Sequence, residues 1–238
     1  MNRLVVEDLY TGYGTLPVVH GVSLHVGVDE VVAVVGPNGA GKTTLVKAIA
    51  GLLPVKTGTI YFEGQDITRL STAARHARGI SLVPQAGNTF PDLTVEDNLR
   101  VAFSTLRGVA ASRAMEEALD TFPALASRRH QTARTLSGGE RQMLAFASGV
   151  GTGPTLIALD EPTSGLAPVV VQSLVEKILR SRAAGSSVLW VVEEDPLHIL
   201  PHVDRVYVIG AGVVQAEMPA RDLLADEALQ GLFFGTRT

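Results

Sequence analysis

A short glycine-rich stretch, GPNGAGKTT at residues 36–44, restricts the fold of this chain more than any other feature. It fits the pattern G-x-x-x-x-G-K-[S/T], in which glycines let backbone N–H groups surround phosphate oxygens without side-chain clash. An apolar run, EVVAVV, precedes it, and a helical apolar pattern at residues 43–53 follows it. Because such a loop joins a buried strand to a helix whose positive N-terminus faces the phosphates, the sequence predicts an α/β sheet.

The residues of this stretch, called the P-loop below, are predicted to contact a nucleotide. Lys42 is expected to reach the β- and γ-phosphates, and the Thr43 hydroxyl is expected to ligate Mg²⁺. The alternative is a chance match to the pattern, and the flanking strand and helix argue against it. The predicted nucleotide contacts are Gly36, Pro37, Asn38, Gly39, Ala40, Gly41, Lys42, Thr43 and Thr44.

Short apolar strands alternate with helical patterns before and after a long helical stretch. Residues 88–150 have helical apolar spacing, which is clearest at 95–106 and 115–122. We therefore expect one domain, residues 1–238, with a nucleotide-binding core at 1–87 and 151–238 and a helical insert at 88–150. Further strands are predicted at 4–6, 18–26, 58–68, 79–85, 155–160 and 187–192, a hairpin at 205–217, and helices at 168–182 and 220–225, with one more towards the C-terminus.

Composition excludes several classes of protein. Of the 238 residues 46% are apolar and 18% charged, as in a globular chain, and the net charge of −4 argues against sequence-independent nucleic-acid binding. There are no cysteines, which excludes disulfides and thiolate metal sites. The first ten residues carry acids where a signal peptide would be apolar. The apolar runs are strand-sized, well short of the ~20 residues of a membrane helix.

The stretch TLIALDEP, residues 155–162, places two acids at the end of a second apolar strand. Asp160 is expected to bind Mg²⁺ directly or through a water molecule, and Glu161 is expected to align and polarise the attacking water. Two solvated acids at a strand end are the alternative. The P-loop on a neighbouring strand of the same predicted sheet favours the nucleotide site.

A third motif, TLSGGERQ at residues 135–142, opens a helix with a hydroxyl and two glycines. A helix N-terminus of this composition is a second candidate anion site. An ordinary N-cap followed by a turn explains it equally well locally. The P-loop upstream and the acids downstream make the anion site the better interpretation.

LSGGE, residues 136–140, between these two motifs closely resembles the signature of ATP-binding-cassette (ABC) ATPases, and the resemblance covers nearly the whole chain. It implies a RecA-like P-loop core with an antiparallel β subdomain and an inserted α-helical subdomain. It also implies a head-to-tail pair of cassettes in which each ATP lies between one P-loop and the partner's signature. The predicted signature contacts are Ser137, Gly138, Gly139 and Glu140.

The resemblance extends to two further positions. Tyr13, in GYGTLPV, matches the aromatic residue that stacks on adenine, with a core tyrosine as the alternative. Gln85, in LVPQ, matches the glutamine that touches Mg²⁺ and water and leads into the helical insert, with a polar strand end as the alternative.

Finer matches, among them GLLPVKTGTI, FPDLTVEDNL and DEPTSGLAP, resemble the cassettes of branched-chain amino acid importers, and similar cassettes serve urea and amide uptake. That resemblance implies two membrane permease subunits, a second cassette, identical or different, and an extracytoplasmic binding protein. The chain would lie at the cytoplasmic face of the membrane, with residues 88–150 docked on a permease. A soluble ABC protein of translation or repair is less consistent with one cassette and no long insert.

Two positions depart from the family pattern. Ala167 stands where most cassettes have an aspartate, although GLAP also occurs in the branched-chain subgroup. Glu194 stands where the family has a histidine, and the subgroup a histidine or glutamine, that hydrogen-bonds the γ-phosphate. A carboxylate cannot donate that bond, and at ~4 Å from a phosphate charge it would be repelled by about 4 kcal/mol.

Glu194 therefore suggests a site that binds ATP but turns over slowly, paired with an intact signature that serves the partner's site. His198, one helical turn further on, is the alternative donor, although an ordinary helix residue is the simpler interpretation. A nucleotide-gated module with little hydrolysis is a further alternative, and the presence of Glu161 argues against complete loss.

Overall fold

The computed structural model describes residues 1–85, 89–193 and 196–234. The strands are β1 Asn2–Tyr13, β2 Leu16–Gly27, β3 Val31–Val35, β4 Val55–Phe62, β5 Gln65–Asp66, β6 Ile80–Val83, β7 Leu156–Asp160, β8 Ser187–Val192, β9 Arg205–Gly210 and β10 Val213–Pro219. The α-helices are α1 Lys42–Ile49, α2 Thr72–His76, α3 Val95–Ala102, α4 Val109–Thr121, α5 Pro123–Ala126, α6 Gly138–Val150, α7 Pro168–Ala183, α8 Pro196–Ile199, α9 Ala220–Ala225 and α10 Glu227–Phe234.

The larger sheet brings the predicted motifs to one edge. Its order is β10-β9-β3-β8-β7-β6, and all neighbouring strands in it are parallel except β9 and β10. The P-loop follows β3, and Asp160 is the last residue of β7. Because parallel strands end at the same edge, ligands in such folds bind in the crevice beyond their carboxyl ends.

The central strands are buried on both faces, which explains their continuous apolar sequences. Along β3, Val31, Ala33 and Val35 pack into one hydrophobic cluster with helices α3 to α7, whereas Val32 and Val34 pack into another. The second cluster contains α1 and the inner face of the smaller sheet. The alternation follows from the two-residue side-chain period of a strand.

The smaller sheet is antiparallel, in the order β2-β1-β4-β5, and lies against the P-loop. The turn between β9 and β10 joins it to the loop: the Gly212 N–H donates to the Ala40 carbonyl (3.0 Å), and the His20 N–H donates to the Gly212 carbonyl (2.8 Å). These backbone bonds fix the P-loop between both sheets.

Helices α3 to α6 lie between β6 and β7 in the sequence, within the predicted helical insert. Buried Glu96 in α3 accepts two hydrogen bonds from Arg129 (2.8 and 2.9 Å), and the Val95 N–H donates to the Gln131 carbonyl (3.0 Å). The segment after Gln85 is thus bound to the segment before Ser137. The division of the chain at residues 87/88 and 150/151 remains a prediction.

The predicted α/β P-loop fold is confirmed, and most differences concern the ends of elements. The helix predicted at 43–53 ends at Ile49, because Gly51 adopts a left-handed conformation with φ 80°. The helix predicted at 95–106 ends at Ala102, and α4 starts after Gly108, whose φ is 54°. Within the described ranges, no helix combines the length and apolar character needed to cross a membrane.

Arg75 is a buried cation that sequence patterns did not single out. It is 2% exposed, and its guanidinium donates to the carbonyls of Ala48 and Ile49 (both 2.7 Å) at the end of α1. It also donates to the carbonyls of Leu70 (3.1 Å) and Thr68 (2.8 Å). A cation at a helix C-terminus satisfies its unpaired carbonyls and favours its dipole, so Arg75 anchors the helix that starts at the P-loop.

We predict that Arg75→Ala lowers the free energy of unfolding by about 2–4 kcal/mol, because it leaves buried carbonyls without a donor. Urea unfolding monitored by circular dichroism measures the change. Arg78→Ala is the matched control: Arg78 is exposed and donates to the nearby Ala74 carbonyl (3.1 Å), so its substitution should cost less than about 0.5 kcal/mol. Equal effects of the two substitutions would contradict the anchoring role.

Candidate functional site

The P-loop encloses a concave surface that only small residues permit. Gly36 leaves β3 with φ 150°, and a Cβ there would lie 2.0 Å from the Ile209 carbonyl oxygen. Gly39 and Gly41 have φ values of 77° and 102°, in the region that glycine adopts readily. Gly41 precedes α1, so the loop's N–H groups and the N-terminus of α1 belong to the same turn.

The Lys42 ammonium group is buried inside this turn. Its side chain is 3% exposed, and Nζ donates to the carbonyls of Gly36 (2.7 Å) and Pro37 (3.0 Å). A third acceptor, Glu193 Oε2, lies 3.3 Å away. Lys42 is thus held at the mouth of the loop by two backbone carbonyls and one carboxylate.

Asp160 and Thr43 form the second part of the site. Thr43 Oγ1 donates to Asp160 Oδ1 at 2.8 Å, joining the start of α1 to the end of β7. Asp160 is 1% exposed, and burial raises its pKa although the Thr43 hydroxyl bond lowers it. The sequence predicted both residues as Mg²⁺ ligands, and the fold brings them together.

Glu161 follows Asp160 in a strained backbone conformation. Its φ is 51°, a left-handed value that costs a non-glycine residue roughly 1–2 kcal/mol. Gln85 Nε2 donates to Glu161 Oε2 at 2.8 Å, so the glutamine after β6 orients this carboxyl group. Strain at a buried acid beside a phosphate-loop motif is typical of a functional position.

A third acid, Glu193, contacts both parts of the site. It lies one residue beyond β8, where it hydrogen-bonds Glu161 and pairs with Lys42. Burial, together with this hydrogen bond and the charge of Glu193, raises the pKa of Glu161 to about 7. Burial works against ionisation of Glu193 as well, but bonds from Glu161 and Lys42 outweigh it and lower the Glu193 pKa. As the pH falls, Glu161 is therefore protonated before Glu193.

Tyr13 lies at the tip of the β1–β2 hairpin, paired with Leu16. It is 48% exposed, so it is not a core tyrosine, and β2 passes beside the P-loop at Val18. The half-exposed ring lies on the hairpin whose second strand passes beside the P-loop, and it is available for stacking on a base.

The signature residues form a separate helix N-terminus. Ser137 caps α6: its hydroxyl accepts from the Glu140 N–H (3.3 Å), and Glu140 accepts from the Ser137 N–H (2.8 Å). Glu140 also pairs with Arg128 at 2.6 Å. These polar contacts of Ser137 and Glu140 all lie within residues 128–141. A Cβ at Gly138 would meet nothing within 4 Å, whereas one at Gly139 would contact Leu166 (3.8 Å) and Val170 (4.0 Å).

The sequence also singled out Glu194, His198 and Ala167. Glu194 lies outside the described residues, and the prediction made for it stands untested. His198 belongs to α8, and Ala167 is the exposed N-cap of α7, where it has no capping side-chain bond. Sequence reasoning overlooked Glu193, because its pairing with Lys42 spans 151 positions and depends on β3 and β8 being neighbours.

The donor set at Thr43, Asp160 and Gln85 consists of hydroxyl, carboxylate and amide oxygens, which are the hard ligands that Mg²⁺ prefers. Within the described part of the chain, no three His, Asp or Glu side chains are grouped as a metal site of their own. Mg²⁺ commonly binds through one or two carboxylates together with water and substrate phosphates, so these residues fit that ion.

The fold and the P-loop define a nucleotide-binding P-loop protein, and the comparisons name its family. The model of the ABC transporter family matches residues 19–164, and the chain belongs to this family, whose ATP-binding domains hydrolyse ATP to power transport. The family resemblance drawn from the motifs is thereby confirmed.

Three relatives are similar to the chain over nearly its full length. The chain is 37% identical to LivF of Archaeoglobus fulgidus, named a probable branched-chain amino acid transport ATP-binding protein, over 95% of this chain and 96% of LivF. It is 34% identical to BraG of Pseudomonas aeruginosa, a high-affinity branched-chain amino acid transport ATP-binding protein, over 98% and 99%. LptB of Haemophilus influenzae, of a lipopolysaccharide export system, is 32% identical over 99% and 98%.

Solved structures agree in fold. A nucleotide-free ATP-binding cassette from an ABC transporter matches with a TM-score of 0.82 and 26% identity, covering 96% of this chain and 97% of that one. An ATP-binding cassette in its ADP conformation matches with a TM-score of 0.82 and 26% identity, covering 99% and 100%.

We predict that Gly36→Ala destabilises the protein more than Gly39→Ala does. At Gly36 the new Cβ would overlap the Ile209 carbonyl and force the loop away from β9, which should cost about 2–4 kcal/mol. At Gly39 nothing lies within 4 Å of the new Cβ, and only the left-handed backbone costs about 1–2 kcal/mol. Thermal unfolding of both variants measures the difference, and equal losses would contradict this geometry.

Proposed function

We propose that this chain is the ATP-hydrolysing, energy-coupling subunit of an ABC importer for branched-chain or related amino acids. The observation that carries the catalytic part is the convergence of Lys42, Thr43, Asp160, Glu161 and Gln85 at one sheet edge. The substrate class is supported by LivF and BraG, the two most similar of the relatives described above, which are both named as branched-chain amino acid transport ATP-binding proteins.

In this proposal, P-loop residues 36–44 surround the nucleotide phosphates and bind them through the backbone N–H groups that all of them except Pro37 possess, and Lys42 contacts the β- and γ-phosphates. Tyr13 stacks on the adenine. Glu161, oriented by Gln85, aligns and polarises a water molecule. The water oxygen bonds to the γ-phosphorus as the bond to the β–γ bridging oxygen breaks, giving ADP and phosphate, and the ionised Glu161 carboxylate accepts the proton that the water loses.

Thr43, Asp160 and Gln85 are the residues that would hold Mg²⁺. When bound, the ion neutralises charge on the β- and γ-phosphate oxygens. The Thr43–Asp160 bond supports this assignment, because it places a hydroxyl and a carboxylate side by side at the end of the P-loop.

The turn at Ser137, Gly138 and Gly139 is proposed to bind the nucleotide of a second cassette. This second helix N-terminus, at α6 and distinct from that of α1, supports a head-to-tail dimer, identical or mixed. Two permease subunits would dock on the helical subdomain proposed at residues 88–150, at the cytoplasmic face of the membrane. An extracytoplasmic binding protein would select the amino acid.

The identity of residue 194, a glutamate, supports a difference in ATP turnover between the two nucleotide sites of the dimer. A carboxylate cannot donate a hydrogen bond to the γ-phosphate, so the chain's own site is proposed to bind ATP and turn it over slowly. Its signature, with Ser137 and Glu140 in place, would support hydrolysis at the partner's site.

The P-loop assignment predicts different effects for two variants. Lys42→Ala should weaken ATP binding at least about tenfold, because hydrogen bonds to a charged group are lost. Glu161→Gln should leave binding nearly unchanged and lower phosphate release by about 10²-fold or more. Equilibrium nucleotide titration and steady-state phosphate release separate the two effects. Unchanged affinity in Lys42→Ala would refute the assignment.

The slow-site hypothesis predicts that Glu194→His raises ATP turnover of the assembled transporter, because histidine restores a donor to the γ-phosphate. Glu194→Ala removes the charge without supplying a donor, so it should raise turnover less. Phosphate release is measured for both variants beside the wild type. If neither substitution changes turnover, the hypothesis is wrong.

A further inference from the structure

Glu193 is the residue of this site that the proposed mechanism leaves without a role. It enters from β8, the strand next to β3, and its Oε2 lies 3.3 Å from Lys42 Nζ. Its side chain is 24% exposed, whereas that of Lys42 is 3% exposed. The ion pair is therefore formed by a buried cation and a carboxylate at the open side of the site.

The donors of Lys42 are fully used in this arrangement. An ammonium group has three N–H bonds, and Lys42 has three acceptors: the carbonyls of Gly36 and Pro37, and Glu193. A phosphate oxygen that binds Lys42 must replace one of them. Gly36 and Pro37 contribute backbone carbonyls of the P-loop, whereas Glu193 can leave by rotating its own side chain.

The negative charge of Glu193 is a second reason to expect that nucleotide phosphates displace it. A nucleotide brings several negative charges to the P-loop, and Glu193 already places one beside Lys42. Like charges at such distances repel each other, most strongly where burial limits screening by water. Asn38 and Glu161 also interact favourably with the Glu193 carboxylate and contribute to its lowered pKa.

We infer that Glu193 is a counter-ion that nucleotide phosphates must displace from Lys42, and that it lowers the nucleotide affinity of this site. The inference rests on the proposed function, because it assumes that Lys42 binds phosphate. Glu193 acts through Lys42 and is thus a positioning residue. Its departure from Lys42 also frees Glu161 of one hydrogen-bond partner when the nucleotide arrives.

The experiment measures ATP affinity of the purified chain by isothermal titration, with EDTA present so that Mg²⁺-dependent hydrolysis does not interfere. Glu193→Gln keeps the shape of the side chain and removes its charge, and we expect it to bind ATP about three- to tenfold more tightly than the wild type. Glu193→Ala, the second variant, should also bind more tightly, which shows that the new amide is not the cause.

Glu217→Gln is the matched control. Glu217 is a carboxylate in β10 that pairs with Arg205 at 2.5 Å and is 41% exposed. Its substitution removes one negative charge and one ion pair away from the P-loop, so ATP affinity should stay at the wild-type value. Tighter binding in this variant as well would assign the effect to net charge and overturn the inference.

Lys42→Ala separates a failure of the inference from a failure of the proposed function. If Lys42→Ala binds ATP as the wild type does, the P-loop assignment fails, and the inference fails with it. If Lys42→Ala loses affinity while Glu193→Gln and Glu193→Ala bind as the wild type or more weakly, only the inference is wrong. Thermal unfolding of each variant confirms that the compared proteins are folded.

Discussion

The parallel hydrogen bonding of β3 with β8, and of β8 with β7, is the constraint on which the site depends. The P-loop, Asp160 and Glu193 come from three distant parts of the chain, and each stands at the carboxyl end of one of these strands. A shift of one residue in either pairing would turn each strand's buried side chains to the opposite face. Both faces of the three strands are buried, so such a shift would disrupt close packing on each face.

The site balances few cations against several acids. Lys42 and the N–H groups of the P-loop face Asp160, Glu161 and Glu193, and two of these acids are almost fully buried. Burial of so much negative charge is tolerated because the Thr43 hydroxyl, the Gln85 amide and the Lys42 ammonium group each bind one acid. The pKa of Glu161, raised to about 7, also lowers its average charge near neutral pH. The same arrangement suits a site that receives Mg²⁺ together with phosphate.

Local motifs made much of this site predictable. The P-loop, Asp160 and Glu161 were identified because phosphate binding and metal binding require particular residue types at short, fixed spacing. The fold class followed from the order of strands and helices. Ser137 and Glu140 form the capping box that a serine followed three residues later by a glutamate indicates.

Other features could not be predicted because distant contacts determine them. The Glu193–Lys42 pair and the bonds of Arg75 to the end of α1 connect residues that are far apart in the sequence. The left-handed backbone of Glu161 has no pattern of its own, since most such positions are glycine. Helices α1 and α3 ended earlier than their apolar spacing indicated, because periodicity does not record where the backbone turns.

The most direct test of the central claim is a crystal structure of Glu161→Gln with ATP and Mg²⁺. The account predicts phosphate oxygens within hydrogen-bonding distance of the backbone N–H groups of residues 39–44 and of Lys42 Nζ, with the Glu193 carboxylate moved away from Lys42. ATP bound elsewhere, with Lys42 still bonded to Glu193 and to the Gly36 and Pro37 carbonyls, would contradict it.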